Sequence, residues 1–239
     1  MEITSGLYAA GTVLRLEDLE HRFTLSRTAV REVIRVLESM HLVESRQRIG
    51  ITIQDAAQWN VFDPRIIRWR LDGDRRMEQL CSLTELRQAI EPMAAREAAE
   101  NATKAQRFEL LRLGAQLMES GSAGDLIRYL EYDIAFHQLI LAASGNEMFA
   151  ALAEPIAEVL RGRTLHHLMP SRPVAESLQW HGQVAEAISA KDAAAAEAAM
   201  RAITSEVGNV WKQVSSVKPR SSRRVAGEGA TEPDRTPEP

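Results

Sequence analysis

Six helical segments follow one another in the C-terminal two thirds of the chain, separated only by short turns. Their apolar periodicity predicts helices at 78–100, 104–120, 124–143, 146–164, 173–189 and 191–214. Four of the five breaks coincide with turn and capping residues, at 101–103, 121–124, 144–146 and 170–173. Alanine is abundant and only 5% of the residues are aromatic, which favours helix over sheet. The sequence therefore predicts an all-helical bundle in this region.

The parts of the chain on either side have a different character. Residues 1–55 combine short helical periods with a pair of strands, and 56–77 form a linker with a short helix from Arg65 to Leu71. Residues 215–239 have no aromatic side chain and many Pro, Gly, Arg and Glu residues, so they bury too little apolar surface to offset their ordering entropy. We expect a small N-terminal domain, a linker, a helical domain over 78–214 and a disordered tail over 215–239.

Bulk composition excludes several classes of protein. The 239 residues carry a formal net charge of −4, so any affinity for nucleic acid must come from a local cluster. Cys81 is the one cysteine, so the chain cannot form an internal disulfide, and the cytoplasm is its expected location. Because no apolar run approaches the roughly 20 residues of a membrane helix, we expect no membrane partner.

Two short helices and a tight turn occupy the middle of the N-terminal domain. Residues 16–23 form the first helix, and Ser26 is a good N-cap for the second, which runs from Arg27 to Met40. The second helix carries one apolar stripe, formed by Val30, Val33, Ile34 and Leu37. Its outward positions are Arg27, Thr28, Arg31 and Arg35. This division suits a recognition helix, which packs on one face and presents donors to DNA on the other.

A basic turn between two short strands follows the second helix. The strands are predicted at 42–45 and 51–53, and the turn at 46–50 contains Arg46, Arg48 and Gly50. Five Arg against three Glu over 24–50 give a local charge of +2 within an acidic protein. A solvated basic helix face is the alternative interpretation of the arginines. The order of helix, cap, helix and basic hairpin favours a DNA-binding winged helix instead.

The run from Ser26 to Glu32, followed by Leu37, Glu38 and the turn ending at Gly50, resembles the GntR family of bacterial regulators. The resemblance covers 3–53, where 3–6 are similar to the end of that family's first helix. Most of that helix is absent from the sequence, so either the true start lies upstream or the winged helix is shortened. The resemblance implies a winged helix-turn-helix that binds double-stranded DNA. The contacts it implies are Ser26, Arg27, Thr28, Arg31, Arg48 and Gly50.

Polar groups lie on helix faces that should be buried in the C-terminal domain. Asp133 and His137 are four residues apart, beside an inward stripe of Leu126, Leu130, Ile134 and Leu141. His181 shares a face with Val184, Ala185 and Ile188. Because a buried carboxylate or imidazole is costly unless paired, these groups could converge on a divalent cation such as Zn, Ni or Mn. Histidines satisfied within the core are the alternative.

Three motifs in this domain resemble the FCD effector domain of FadR-type members of the GntR family. They are Glu85-Leu86-Arg87 with Ile90-Glu91-Pro92, Asp133 to His137, and His181 with Ala187-Ile188, and the resemblance spans about 80–205. It implies that Asp133, His137 and His181 bind a metal and that Arg87, with both histidines, contacts the effector. A further metal-binding His of the family corresponds to Ile203 here, on the same inward face as Met200. The departure implies weaker metal binding, or an effector bound directly by the Asp and His side chains.

The linker from Gln58 to Trp69 resembles that of regulators of galactonate or gluconate catabolism. Together with an arginine and two imidazoles in one cavity, this implies a small carboxylate effector, and we expect a sugar acid. We predict a homodimer that binds a palindromic operator and is released by the effector, and so a repressor rather than an enzyme. The alternatives are a metal-sensing regulator and a metal-dependent hydrolase or lyase built on the Asp and His residues.

Overall fold

The computed structural model describes residues 2–166, 168 and 175–217, with side chains as far as Glu206. Its fold is mostly helical, with a winged helix-turn-helix first and a helical domain after it, as predicted. The N-terminal elements are β1 (Val13–Leu14), α1 (Leu16–Phe23), α2 (Arg27–Ser39), β2 (Val43–Arg46) and β3 (Gly50–Ile53). They are followed by α3 (Pro64–Asp72), α4 (Arg76–Asn101), α5 (Lys104–Ala123), α6 (Leu126–Ala143), α7 (Glu147–Ala150), α8 (Ala153–Leu165), α9 (Ala175–Ala190) and α10 (Ala193–Val217).

The three strands form an antiparallel sheet in the order β1-β3-β2. β2 and β3 pair Val43 with Ile53 and Arg46 with Gly50, which gives the predicted hairpin. Gly50 has φ +117°, and a Cβ there would lie 2.8 Å from the Leu14 carbonyl oxygen on β1, so only glycine fits. β1 was not predicted, because a strand of two residues has no detectable period.

The helix-turn-helix forms where its capping residues predicted it. The Ser26 side chain accepts a hydrogen bond from the Ala29 backbone N–H, which starts α2. Val30 and Ile34 are buried against Met40, Leu42, Val43, Ile51, Ile53 and Ile66. The predicted stripe was only partly correct, since Val33 stays 48% exposed and Leu37 is half-buried. Residues 2–6 form turns instead of the end of a helix.

The helical domain is a bundle in which α4 packs against α10, α9 and α6, while α5 packs against α9 and α6. The predicted helix at 146–164 divides into α7 and α8, and the helix predicted from 124 begins at Leu126, because α5 continues to Ala123. α10 extends to Val217, so the first three residues of the predicted disordered tail are helical. The rest of that tail, and the predicted break at 170–173, lie outside the described residues.

The linker helix α3 is packed between the two domains. Ile66 belongs to the core of the winged helix, whereas Ile67 and Leu71 pack with Leu80, Leu83 and Val159 of α4 and α8. A Cβ on Gly162 of α8 would lie 2.6 Å from Leu71 Cδ1, so α3 and α8 approach closely. α3 is therefore in contact with both cores. In the part of the chain that the structure describes, no helix is long and apolar enough to span a membrane.

Candidate DNA-binding surface and effector site

A basic cleft of about 800 Å³ lies between α2 and the hairpin of β2 and β3. Glu38 of α2 accepts a hydrogen bond of 2.9 Å from the Ser45 backbone N–H, which fixes the hairpin against the helix. The cleft is lined by six arginines, which are Arg15, Arg27, Arg31, Arg35, Arg46 and Arg48. The helix and the hairpin thus present their cations toward one space, as phosphate and base recognition requires.

The six arginines differ in whether a nearby acidic residue forms an ion pair with them. Arg35 pairs with Glu32 at 2.5 Å and Arg46 with Glu44 at 2.9 Å, while Arg27 lies 3.9 Å from Glu20. Arg15, Arg31 and Arg48 make no ion pair with any residue that the structure describes. Of the predicted contacts, Arg27, Arg31, Arg48 and Gly50 line the cleft, and Ser26 and Thr28 lie exposed at the start of α2. Arg15, Arg35 and Arg46 also line the cleft but were not among the predicted contacts.

The second candidate site lies inside the helical domain, where α4, α6, α8 and α9 meet. Asp133 and His137 project from α6 and His181 from α9, and all three side chains are buried. Asp133 Oδ1 lies 3.2 Å from His181 Nε2 and 3.4 Å from His137 Nε2. Arg163 of α8 donates to Asp133 Oδ2 at 2.8 Å. The structure therefore brings together the three residues that the sequence predicted as metal ligands.

Each histidine has one ring nitrogen occupied by a group that only accepts hydrogen bonds. His181 Nδ1 lies 2.7 Å from the Ser177 carbonyl oxygen, and His137 Nδ1 lies 2.8 Å from Glu91 Oε2. With a single proton on Nδ1, each histidine directs an Nε2 lone pair toward Asp133 Oδ1, as a metal ligand does. With a second proton on Nε2, it donates a hydrogen bond to that oxygen instead. Three acceptor atoms facing one another attract a cation, and carboxylate-supported imidazoles are typical of metal sites. The donor set fits a divalent metal.

Charges around these residues are balanced within the protein. Burial alone would raise the pKa of Asp133, but hydrogen bonds from His137 and His181 and the Arg163 charge hold it well below its usual range. Burial also opposes ionisation of Glu91, yet the charges of Arg87 and His137 lower its pKa to about 2. Burial would lower the pKa of His137, but the Glu91 charge raises it. A protonated His137 can therefore supply the positive charge that a bound cation would otherwise supply.

Arg87 has intramolecular partners that the sequence did not indicate. Its guanidinium pairs with Glu91 at 2.6 Å, and its Nη2 lies 3.2 Å from His137 Nε2. Two buried guanidinium N–H groups still have no hydrogen-bond partner among the described residues, and these are Arg87 Nη1 and Arg163 Nε. An unpaired buried donor costs about 1–3 kcal/mol, so both would gain from an acceptor on a bound anion.

The inward face of α6 differs from the predicted one. Its buried residues are Tyr129, Asp133, Phe136, His137, Ile140, Leu141 and Ala143, while Leu126, Leu130 and Ile134 are only half-buried. Asp133 and His137 therefore lie on the buried stripe and not beside it, because their paired charges tolerate full burial. Ile203 is buried at 3% exposure, on the inward side of α10 as predicted.

Sequence reasoning did not place Glu91 and Arg163 beside the Asp–His–His group, and the two residues differ in whether their contacts could have been predicted. Glu91 lies four residues after Arg87 on α4, so the pair was detectable from helical spacing. Arg163 comes from α8, thirty residues from its partner Asp133. No local pattern signals such a contact, because it depends on how the helices pack.

Comparison with known proteins identifies both domains of the chain. Residues 1–53 match the model of "Bacterial regulatory proteins, gntR family", and residues 82–206 match that of the "FCD domain". The galactonate operon transcriptional repressor of Escherichia coli (strain K12) is 30% identical over 203 residues, which cover 83% of this chain and 86% of that protein. The Exu regulon transcriptional regulator of the same organism is 29% identical over 207 residues, covering 83% and 75% of the two chains.

Among solved structures, Streptococcus agalactiae GntR has a TM-score of 0.50 and 25% identity to this chain, and covers 85% of this chain and 91% of its own. The relatives and the family are transcriptional regulators and not enzymes, which leaves the hydrolase or lyase alternative without support. The two family models match consecutive parts of this chain, the gntR model first and the FCD model after it. The chain therefore belongs to the GntR family of bacterial regulatory proteins and, through its C-terminal half, to the members with an FCD domain.

Proposed function

We propose that the protein is a repressor of a sugar-acid catabolic operon and that a small carboxylate effector releases it from DNA. One observation carries the proposal: a buried Asp–His–His group with two unpartnered arginine donors is joined by packed helices to a basic DNA-binding cleft. Two relatives, a galactonate operon repressor and an Exu regulon regulator, support a sugar acid as the effector class.

The proposed DNA contacts come from the start of α2 and from the hairpin. They are Ser26, Arg27, Thr28, Arg31, Arg48 and Gly50. Arginines at the start of a recognition helix can pair with guanine in the major groove, and hairpin cations bind phosphate. A homodimer would place two such surfaces on a palindromic operator, and binding to chromosomal DNA places the protein in the bacterial cytoplasm.

Asp133, His137 and His181 would hold the divalent metal, with Zn, Ni and Mn as the candidates. A bound metal supplies positive charge that polarises and orients a carboxylate. The metal-binding His of the family is replaced by Ile203, whose apolar side chain cannot act as a ligand. That position is left to a water or an effector oxygen, so the site favours an effector that carries its own oxygen donors.

The effector carboxylate is proposed to accept hydrogen bonds from Arg87 and Arg163. Both guanidiniums are buried beside the Asp–His–His residues, and each keeps one nitrogen without a hydrogen-bond partner in the part of the chain that the structure describes. The intramolecular partners Glu91 and Asp133 orient these guanidiniums without satisfying every donor. A sugar acid offers a carboxylate for the donors and adjacent hydroxyls for the remaining polar groups.

The contacts of α8 connect the effector site with the winged helix. Arg163 lies in the site, and Glu158, five residues earlier on α8, pairs with Arg68 of α3 through hydrogen bonds of 2.9 and 2.6 Å. Leu71 of α3 packs against Gly162 of α8, while Ile66 of α3 lies in the core of the winged helix. An effector that displaces Arg163 would shift α8, and α3 would carry the movement to the DNA-binding domain.

A metal-sensing regulator is the second candidate, and the three converging ligands favour it. The missing fourth ligand at Ile203 argues against it, because a sensor needs high affinity for the cation alone. DNA release by Zn without any organic acid would support this candidate.

The test of the proposal is a thermal-shift scan of the full chain with a panel of aldonates and dicarboxylates, with and without Zn. A ligand at ~100 times its dissociation constant stabilises the protein by roughly 2.7 kcal/mol, which is a shift of a few degrees. We expect one sugar acid to give that shift and the variant Arg87→Ala to lose it. A flat response to every acid under both conditions would reject the sugar-acid assignment.

A further inference from the structure

An apolar stripe lies along the outer surface of α5. Phe108, Leu111, Ala115 and Met118 follow one another at intervals of three, four and three residues, which places them on one helix face. All four are exposed, with 71% of Phe108, 38% of Leu111 and 37% of Met118 accessible. Single apolar residues are common on protein surfaces, but four of them in a coiled-coil spacing form a continuous patch. Such a patch marks an interaction surface.

The stripe is not needed for the packing of α5 in its own domain. The helix buries a separate face formed by Leu110, Leu113, Gly114, Leu117, Ser120 and Gly121. That face lies against α9 and α6, where Gly114 approaches Ala185 and Gly121 approaches both Leu178 and Tyr129. A helix that is apolar on two sides belongs between two partners. In the described structure α5 has a partner on one side only.

We infer that this stripe is the centre of the homodimer interface and that α5 packs antiparallel against α5 of a second copy. The inference rests on the proposed function, since a palindromic operator requires two copies. It goes further by assigning the face and the orientation of the contact.

The charges along α5 favour a second copy of α5 as the partner and an antiparallel orientation of the two helices. The N-terminal half of α5 carries Lys104, Arg107 and Arg112 against Glu109, whereas Glu119 is the charged residue of its C-terminal half. Lys104 and Glu119 form no ion pair within the described part of the chain. An antiparallel pair sets the cationic half of each helix against the acidic end of the other, and a parallel pair sets like charges together.

One two-fold axis satisfies both the charges and the packing. An axis midway between Lys104 and Glu119 passes between Leu111 and Arg112, within the stripe. It places each Lys104 opposite Glu119 of the second copy, and it places Phe108 opposite the small Ala115. A large side chain facing a small one allows two helices to approach and interdigitate.

Sedimentation velocity of the full chain over a concentration series tests the inference. We expect the wild type to be a dimer, and Leu111→Glu to raise the dimer dissociation constant by about 100-fold, because it replaces the apolar side chains on both sides of the two-fold axis by two carboxylates of like charge. Met148→Glu is the matched control, since Met148 is 69% exposed on α7, outside the stripe. Circular dichroism melts check that each variant folds.

A charge exchange tests the orientation separately. Lys104→Glu and Glu119→Lys should each weaken the dimer by about 5-fold, because each places like charges together at two symmetric positions. The double variant should recover the wild-type constant. A wild type that stays monomeric, a Leu111→Glu variant that dimerises normally, or a double variant no better than the singles would each overturn the inference.

Failure of this interface and failure of the proposed function give different results. The effector site lies within one chain, so monomeric Leu111→Glu should keep its thermal shift with the sugar acid. A dimer unaffected by Leu111→Glu, with operator and sugar-acid binding intact, would reject the α5 face alone. A wild-type dimer that responds to no acid would reject the effector assignment and leave the interface standing.

Discussion

Arg163 on α8 donates a hydrogen bond of 2.8 Å to Asp133 Oδ2 on α6, and both side chains are almost fully buried. The other carboxylate oxygen of Asp133 faces the two histidine Nε2 atoms. Asp133 is thus shared between the Arg163 guanidinium and the position that we propose for a metal. This arrangement makes α8 sensitive to what the site binds, because any new ligand of Asp133 or Arg163 alters the contact that holds α8 to α6.

The first prediction concerns the stability of that contact. Arg163→Ala leaves the Asp133 carboxylate buried without its guanidinium, and we expect the free energy of unfolding to fall by about 3 kcal/mol. Urea unfolding of the metal-free protein measures this change. The control Arg128→Ala removes a pair with Asp125 at the surface and should change stability by less than about 0.5 kcal/mol. Equal effects of the two substitutions would contradict the role of the buried pair.

The second prediction concerns the stability of the fold at acid pH. Because Arg87 and His137 lower the pKa of Glu91 to about 2 in the folded protein, its carboxylate contributes stability above the pKa of an unfolded Glu, about 4.5. That contribution is lost as the pH falls from 4.5 to about 2. Urea midpoints across this window should show a large gap between wild type and Glu91→Gln at neutral pH, which narrows toward pH 2. A gap that is constant with pH would show that the charge of Glu91 does not stabilise the fold.

The third prediction separates effector binding from the release of DNA that the effector causes. Arg68→Ala removes the pair between α3 and Glu158 of α8, where Arg68 is partly exposed and Glu158 is buried. The variant should bind the effector normally in a thermal shift, while the effector-induced loss of DNA affinity shrinks by about 5-fold or more. Arg65→Ala is the matched control on α3, because Arg65 pairs with Asp63 at the start of its own helix. Unchanged DNA release in Arg68→Ala would show that coupling takes another route.

The fourth prediction ranks the arginines of the basic cleft. Arg31→Ala and Arg48→Ala remove charges without an intramolecular partner, so each should weaken operator binding by about 1–3 kcal/mol or reduce the salt dependence by one phosphate contact. Arg35→Ala removes a charge already paired with Glu32 at 2.5 Å and should have a smaller effect. Fluorescence anisotropy with labelled operator at several salt concentrations measures all three. A larger loss for Arg35→Ala would contradict this ranking.

Local chemistry made much of the fold predictable. Ser26 before a run of helix formers placed the start of α2, and the alternation around Gly50 placed the hairpin. Asp133 and His137 were found because residues four apart share a helix face. The Asp–His–His group was predicted from these shared faces and from the resemblance to the FCD domain, although the inward face of α6 differs from the predicted one.

The remaining features depend on packing between distant segments. Arg163 and Asp133 meet only after α8 folds against α6, and the burial of Asp133 rather than Leu130 follows from that pair. The two residues of β1 form a strand only because β3 is beside them. The separation of α7 from α8 likewise has no strong breaker in the sequence, since it falls at Ala151 and Leu152.

The most direct test of the central claim is fluorescence anisotropy of the operator-bound wild type, titrated with each sugar acid in the presence and absence of Zn. We predict that one sugar acid releases the DNA from the wild type, and that Arg87→Ala and His181→Ala bind the operator equally well but are not released. Release of both variants by the same acid at the same concentration, or no release of the wild type by any acid, would contradict an effector site at Asp133, His137 and His181.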